Sequence, residues 1–381
     1  MTSRITLRRF DDMHCHFRTG SLLAEVLPFT ARYARRAVAM PNLRPRAVLT
    51  AQDAIWYRDE IMRVLARMPN RPSFEPLMTI EIRDSTTPKM IAETKRAGAI
   101  AGKGYPLGVT TNSDEGLRDF SSKKIFETFQ AMEHCGMLLL LHGELDLERT
   151  FVLKREEAFL PTLERLAANF PNLKIVLEHV STKKAVRIIE ELGENVAATI
   201  TAHHLYLTLN DVIGYGMQPH NACNPMPKDF GDRDALIGAA TSGNPKFFLG
   251  SDSAPHSRDK KECAKGACGV FTAPVLPEVL AEIFEQAGQL DRLENFTSRF
   301  WAEFYGLALN EGTITLVKKE WTVPEQIGSV VPFRAGQKLQ WQLQVSDSNK
   351  DLTVSARSFF FVPLFKKSGI SSLRASGFPQ I

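Results

Sequence analysis

Cysteine is scarce. Cys15, Cys135, Cys223, Cys263 and Cys268 are the five among 381 residues, an odd number with no C-x-x-C pair. That argues against a disulfide framework and for a reducing compartment. Long apolar runs are missing as well. "MLLLLH" at 137–142 is far shorter than the roughly 20 residues a membrane-spanning helix needs, and reads as a buried strand. The amino-terminal "MTSRITLRRFDD" has no apolar stretch of signal-peptide type, so a cytoplasmic protein without membrane attachment is expected. Charge of one sign is also lacking. Lys plus Arg number 47 against 43 Asp plus Glu, and the small cluster of Arg32, Arg35 and Arg36 fits a solvated helix face, so nucleic acid is not an expected partner. No G-x-G-x-x-G follows an early strand, which disfavours a dinucleotide-binding fold.

What is present is a recurrence of short apolar runs, each followed by a segment of helical character. Strands are expected at 6–13, 36–40, 77–82, 99–103, 137–142, 174–179, 196–201 and 246–252. Helices are expected at 51–67, 88–97, 121–135 and 182–192, the first entered from Thr50 as N-cap. Eight strand–helix alternations with near-continuous apolar strands describe an α/β protein of the (β/α)8 TIM-barrel class, although a doubly wound open sheet alternates too. After about residue 310 the texture changes to short strands and turns, as in "EGTITLVKKEWTV" and "KLQWQLQV". The expected organisation is a barrel over 1–310, a small strand-rich appendage over 311–350, and a tail over 351–381 without an assignable role.

Active sites of such barrels form at the C-terminal ends of the strands. The candidate strands end in polar residues there. The first runs into His14 and His16 of "FDDMHCHFRTG", the fourth ends at Lys103, the fifth at His142, the sixth at His179 and the eighth at Asp252. Singly, each has an ordinary explanation: a hydrogen-bonded rim histidine, a snorkelling lysine, a helix-capping aspartate. Together on one rim they make a ligand set for two metal ions roughly 3.5–4 Å apart, with imidazole and carboxylate donors suited to Zn²⁺. Lysine is the odd member, because an ammonium has no lone pair. Buried beside cations it favours the neutral amine, which can add CO₂ to become a two-oxygen carbamate bridging both ions.

These motifs in order resemble the amidohydrolase superfamily, and more closely its shorter, bacterial-type dihydroorotases of pyrimidine synthesis. The resemblance rests on "DDMHCHFRTG", "AMPNLRP", "GKGYPLGVTTNSDEG", "LLHGE", "LEHVST", "HHL", "FFLGSDSAPH" and "GVFTAP", running from residue 10 to about 275. It implies two Zn²⁺ per subunit, bridged by N6-carboxylated Lys103 and a hydroxide. His14, His16 and Asp252 would hold the more buried ion, His142 and His179 the other, with Asp252 also the general acid/base. It implies a substrate α-carboxylate bound by Arg18, Asn42 and His256. Thr110 and Thr111 would lie on a closing loop, and backbone near Asn224 and Cys268 would touch the ring. The implied reaction is the reversible cyclisation of N-carbamoyl-L-aspartate to L-dihydroorotate, in a homodimer. Gly104 stands where relatives commonly carry Leu, and "SRDKKECAKGACGV" and "NACNPMPK" depart from the usual pattern around Cys268 and Asn224. A hydantoinase or allantoinase would share the metal core but has no use for a carboxylate clamp. A non-enzymatic scaffold relative would be expected to have lost ligands.

Overall fold

The computed structural model describes residues 3–68, 72–146 and 150–344; the expected tail over 351–381 lies outside them. The strands are β1 (Arg4–Arg8), β2 (Phe10–Cys15), β3 (Ala34–Ala39), β4 (Glu75–Ile82), β5 (Ala101–Gly104), β6 (Leu138–His142), β7 (Ile175–Glu178), β8 (Val196–Ile200), β9 (Phe247–Leu249), β10 (Thr313–Thr322) and β11 (Lys338–Gln344). β2 to β9 form one parallel sheet in sequence order, with helices between successive strands. This is the TIM-type barrel expected from the alternation.

The helices follow from local chemistry. Ala51–Leu65 starts behind Thr50, whose hydroxyl accepts from the Asp53 N–H while the Asp53 carboxylate accepts from the Thr50 N–H, a capping box. Pro88–Arg96 has proline in its first turn, where no N–H is needed, behind the Thr87 cap. Lys123–Cys135 ends on Gly136 in the left-handed conformation.

The first expected strand, 6–13, straddles two elements. β1 pairs with β10 in a small antiparallel sheet of order β1-β10-β11, while β2 enters the barrel. Between them the Arg9 N–H turns to the Gly312 carbonyl at 3.1 Å. No glycine or proline marks this one-residue break, so the sequence carries no punctuation there. The small sheet thus takes its first strand from Arg4–Arg8.

Inside the barrel, Met13, Val38, Ala101, Leu138, Leu140, Val176, Ala197 and Phe248 form one apolar cluster, with Phe300, Trp301 and Tyr305 packed against it. Side chains alternate along a strand. Two residues beyond Ala101, Leu140, Val176 and Ala197 come Lys103, His142, Glu178 and Thr199, all buried. The polar layer therefore sits directly on the apolar one, at the C-terminal end of the strands.

The barrel closes between β2 and the segment after β9. The closing bonds are Asp252 N–H to the His14 carbonyl at 2.9 Å and His16 N–H to the Ser253 carbonyl at 3.0 Å. The wholly buried Asp12 carboxylate accepts from the Ser251 N–H at 2.9 Å and the Tyr33 hydroxyl at 3.0 Å. Gly250 lets this seam close, since a Cβ there would lie 2.7 Å from Thr199 and 3.1 Å from His14. Among the described residues no helix is long and apolar enough to cross a membrane.

Removing the seam carboxylate strands three buried donors, the Ser251 N–H, the Tyr33 hydroxyl and the His14 N–H, the last at 3.3 Å. Asp12→Ala is therefore predicted to lower unfolding free energy by about 2–4 kcal/mol, against about 1 for Tyr33→Phe, in urea denaturation of the two variants. Equal, small effects would show that the seam is held elsewhere.

Candidate active site

Five of the six residues read as ligands fall into two adjoining groups, with Lys103 apart from them. His14 Nδ1 donates to Glu178 Oε2 at 2.8 Å, and Thr199 donates its hydroxyl to the same oxygen at 2.7 Å. That fixes the His14 tautomer and turns its Nε2 inward. There Nε2 lies 3.3 Å from His16 Nε2, and Asp252 Oδ1 lies 3.3 and 3.2 Å from these two nitrogens. His14, His16 and Asp252 thus present three ligand atoms within 4.8 Å of one another, all buried. In the second group His142 Nδ1 faces His179 Nε2 at 3.1 Å, and Glu144 Oε2 lies 3.1 Å from His142 Nε2. The rings of His14 and His179 are 5.1 Å apart, which joins the groups.

Lys103 is fully buried, and its Nζ has no hydrogen-bond partner. It lies over the Tyr105 ring, 5.3 Å from the centroid. Burial pulls the ammonium down to about 8, opposed by the charges of Glu178 and Asp252. An unpartnered buried ammonium is costly, whereas an anionic, metal-bridging derivative of it is not. His16 Nδ1, His179 Nδ1 and Glu178 Oε1 are likewise buried without partners. This donor set, with its unpartnered polar atoms, fits a metal centre. Burial alone would raise the Asp252 carboxyl, but His14 and His16 outweigh it and hold it well below the usual carboxylate range.

The backbone is bent to make these meetings. Arg18, Asn112, His179 and Asp252 have positive φ of 62°, 61°, 43° and 42°, with Arg334 the other non-glycine case among the described residues. Such conformations are strained for residues with a Cβ, and they gather here at the rim. A regular strand would aim Glu178 inward and His179 away; the left-handed turn at His179 brings both to the centre.

Beside the centre, Arg18, Asn42, Thr110, Thr111, Asn224 and Cys268 line the same narrow cleft. Arg18 donates to the Pro255 carbonyl and, through a terminal nitrogen, to His256 Nε2, both at 3.0 Å. Burial, then Arg18, keep His256 neutral, so it accepts. Asn42 donates its amide to the Thr111 carbonyl at 2.9 Å, and Asn112 donates back to the Asn42 carbonyl at 2.7 Å. Asn224 reaches the Val109 carbonyl at 3.4 Å. The threonine loop is thus fastened across the cleft from two sides. A Cβ at Gly104 would lie 3.1 Å from Leu141 and 3.4 Å from Phe120, and Lys103 beside it is fully buried.

Glu178, Glu144, Thr199 and Tyr105 were not singled out in the sequence. Glu178 and Glu144 stand within the quoted "LEHVST" and "LLHGE", and Tyr105 follows Lys103 by two, the spacing of a shared strand face. A further buried trio, His203, His204 and Cys223, also lies within 4.8 Å. His204 has Nδ1 engaged by Thr201 and Nε2 by the Pro225 carbonyl, both at 2.9 Å, leaving it no nitrogen for an ion.

A scan against models of known protein families returns no match. The chain is 45% identical over 350 residues to a dihydroorotase of Shewanella frigidimarina, covering 90% of this chain and 100% of the relative. It belongs to the dihydroorotase family. Among solved structures, the dihydroorotase of Campylobacter jejuni superposes with a TM-score of 0.83 at 38% identity, covering 91% of this chain and 99% of the other. That of Saccharomyces cerevisiae, in complex with 5-fluoroorotic acid, gives 0.82 at 36%, covering 90% and 99%. Dihydroorotases are metal-dependent hydrolases of a cyclic amide bond, and the barrel is that of the amidohydrolase superfamily.

Glu178 holds His14 without touching the ligand position. Glu178→Gln keeps the shape and loses the charge, and is predicted to weaken metal binding about 10–100-fold by chelator competition while the circular dichroism stays that of the parent. Unchanged metal affinity would remove Glu178 from the site.

Proposed function

We propose that this site interconverts N-carbamoyl-L-aspartate and L-dihydroorotate, with cyclisation the biosynthetic direction in pyrimidine synthesis. Two Zn²⁺ per subunit would be held by His14, His16 and Asp252, and by His142 and His179, with carboxylated Lys103 between them. Bound zinc supplies a water acidified toward neutrality and a polarised carbonyl. The observation that carries the substrate assignment is the guanidinium of Arg18, beside Asn42 and His256, on the wall of the cleft that holds the metal-type residues. A planar cationic fork there matches a carboxylate bidentately, and an uncharged hydantoin ring would leave it unpaired.

In ring opening, Asp252 takes the proton that the attacking water gives up and hands it to the ring nitrogen as the C–N bond breaks. In cyclisation it takes a proton from the carbamoyl nitrogen and returns it to the departing oxygen. Asp252 suits this double part because its backbone is fastened at the seam, its N–H donating to the His14 carbonyl, while the residue lines the cleft. Arg18, Asn42 and His256 hold the carboxylate, so that the reacting carbon and nitrogen stay in register. Thr110 and Thr111 cover the cleft and exclude bulk water. Ring contacts come from backbone near Asn224 and Cys268. The same reading places the enzyme in the cytoplasm as a homodimer.

The test is turnover of L-dihydroorotate against hydantoin and allantoin on one sample of known metal content. Turnover of dihydroorotate alone, with about two zinc ions per chain, is expected; turnover confined to the uncharged rings would overturn the substrate. Arg18→Lys keeps the charge but loses the fork, and is predicted to raise KM about tenfold or more. Lys103→Ala is predicted to lose metal and activity together, with partial rescue by short carboxylic acids. Full activity without rescue would sink the bridge.

A further inference from the structure

Lys261 closes the short helix Arg258–Lys261 that follows His256, and it points inward rather than out, with only 4% of its surface exposed. A lysine on a short surface helix ordinarily lets its ammonium reach water. This one donates to the Gly269 carbonyl and to the Ala222 carbonyl, the latter at 3.3 Å. Among the described residues no carboxylate forms an ion pair with it, and burial pulls the amine down to about 8. A charge buried without a counter-ion is poor filling, since an apolar residue would pack the same space at no electrostatic cost. Its chemistry is that of a double donor.

The two carbonyls belong to segments that meet at the cleft. Asn224 lies two residues after Ala222, Cys268 just before Gly269, and Asn224, Cys268 and Gly269 all line the cleft. Between the segments the Gly269 N–H donates to the Ala222 carbonyl at 2.8 Å. Gly269 has a φ of +146°, and a Cβ there would come within 2.5 Å of the Ala254 carbonyl oxygen, so this wall is bare backbone in close contact. Bare backbone has no side chain to readjust if its spacing changes.

We propose that Lys261 is a positioning residue for ring recognition: its ammonium clasps the Ala222 and Gly269 carbonyls and so sets the spacing of the backbone wall, carrying Asn224 and Cys268, on which the substrate's ring is read. This rests on the reading of the cleft given under the proposed function. Lys261 donates to these two carbonyls and not to a metal-type residue or to Arg18, Asn42 or His256, although its charge is felt by Arg18 and His256, so its loss acts on substrate binding and leaves the chemical step in place.

The experiment compares wild type with Lys261→Met, similar in volume but without donors. It reads KM and kcat for L-dihydroorotate, inhibition by 5-fluoroorotic acid, and metal content. The expected result is a KM and an inhibition constant both raised about tenfold, with kcat within about threefold and metal content unchanged. A merely structural lysine would lower thermal stability and leave both constants where they were, and that result overturns the proposal. Should Lys261→Met fail to fold, Lys261→Gln, with an N–H donor on a shorter arm, carries the same comparison with a smaller rise expected. Wild type separates the two readings. If it neither turns over dihydroorotate nor binds 5-fluoroorotic acid, the substrate assignment falls and takes this proposal with it. If it does both and the variants match it, the proposal alone falls.

Discussion

The seam between β2 and the segment after β9 is the constraint on which the site depends. Seven of the eight junctions in the barrel are parallel ladders, that between β2 and β3 with shifts of register. The eighth is made by a handful of bonds around Asp12, and those bonds run through the same residues that carry function. The His14 carbonyl receives the Asp252 N–H, and the His16 N–H meets Ser253. Closing the barrel and bringing Asp252 onto the two histidines are therefore one event. A barrel closed with another register would be a poorer fold and also a wrong ligand set, which couples structural integrity to metal binding more tightly than packing alone could.

A second regularity follows from the pleat. The inward positions of β5, β6, β7 and β8 read apolar, then polar, as Ala101 and Lys103, Leu140 and His142, Val176 and Glu178, Ala197 and Thr199. The apolar layer keeps water from the base of the polar one, which raises the cost of leaving any of these groups charged and alone. Each histidine that a carboxylate orients gains direction from this dryness. Lysine, which has no such partner, is left with its amine poised toward neutrality.

Much of this was legible from residue order. Eight apolar runs, five of them with polar ends, pointed to the barrel and its active rim, because strand direction and period two are enough to place Lys103 and His142. Less legible was anything that needed a departure from regular backbone. His179 should have faced outward by alternation, and only its left-handed conformation explains how it joins Glu178 at the centre. The break at Arg9 divides an apparently continuous strand between two sheets, and no glycine or proline announces it. Glu144 and Thr199 act through hydrogen bonds to residues far off in sequence or around a turn, and no spacing rule encodes those. The Lys261 clasp is of the same kind, since nothing in "SRDKKECAKG" says which lysine turns inward.

The small sheet has a consequence for how the chain comes into being. β1, made some 300 residues before β10, pairs with it, and Thr6 meets Thr315 across that ladder at 3.1 Å. Until β10 has been synthesised, β1 is an edge without a mate, free to pair with another nascent chain. The ligands follow the same order in time, His14 and His16 early and Asp252 late. Contacts so distant in sequence slow folding. A metal ion thus finds His14, His16 and Asp252 together only once the chain has been made at least as far as Asp252, so that loading of the centre reports a closed seam.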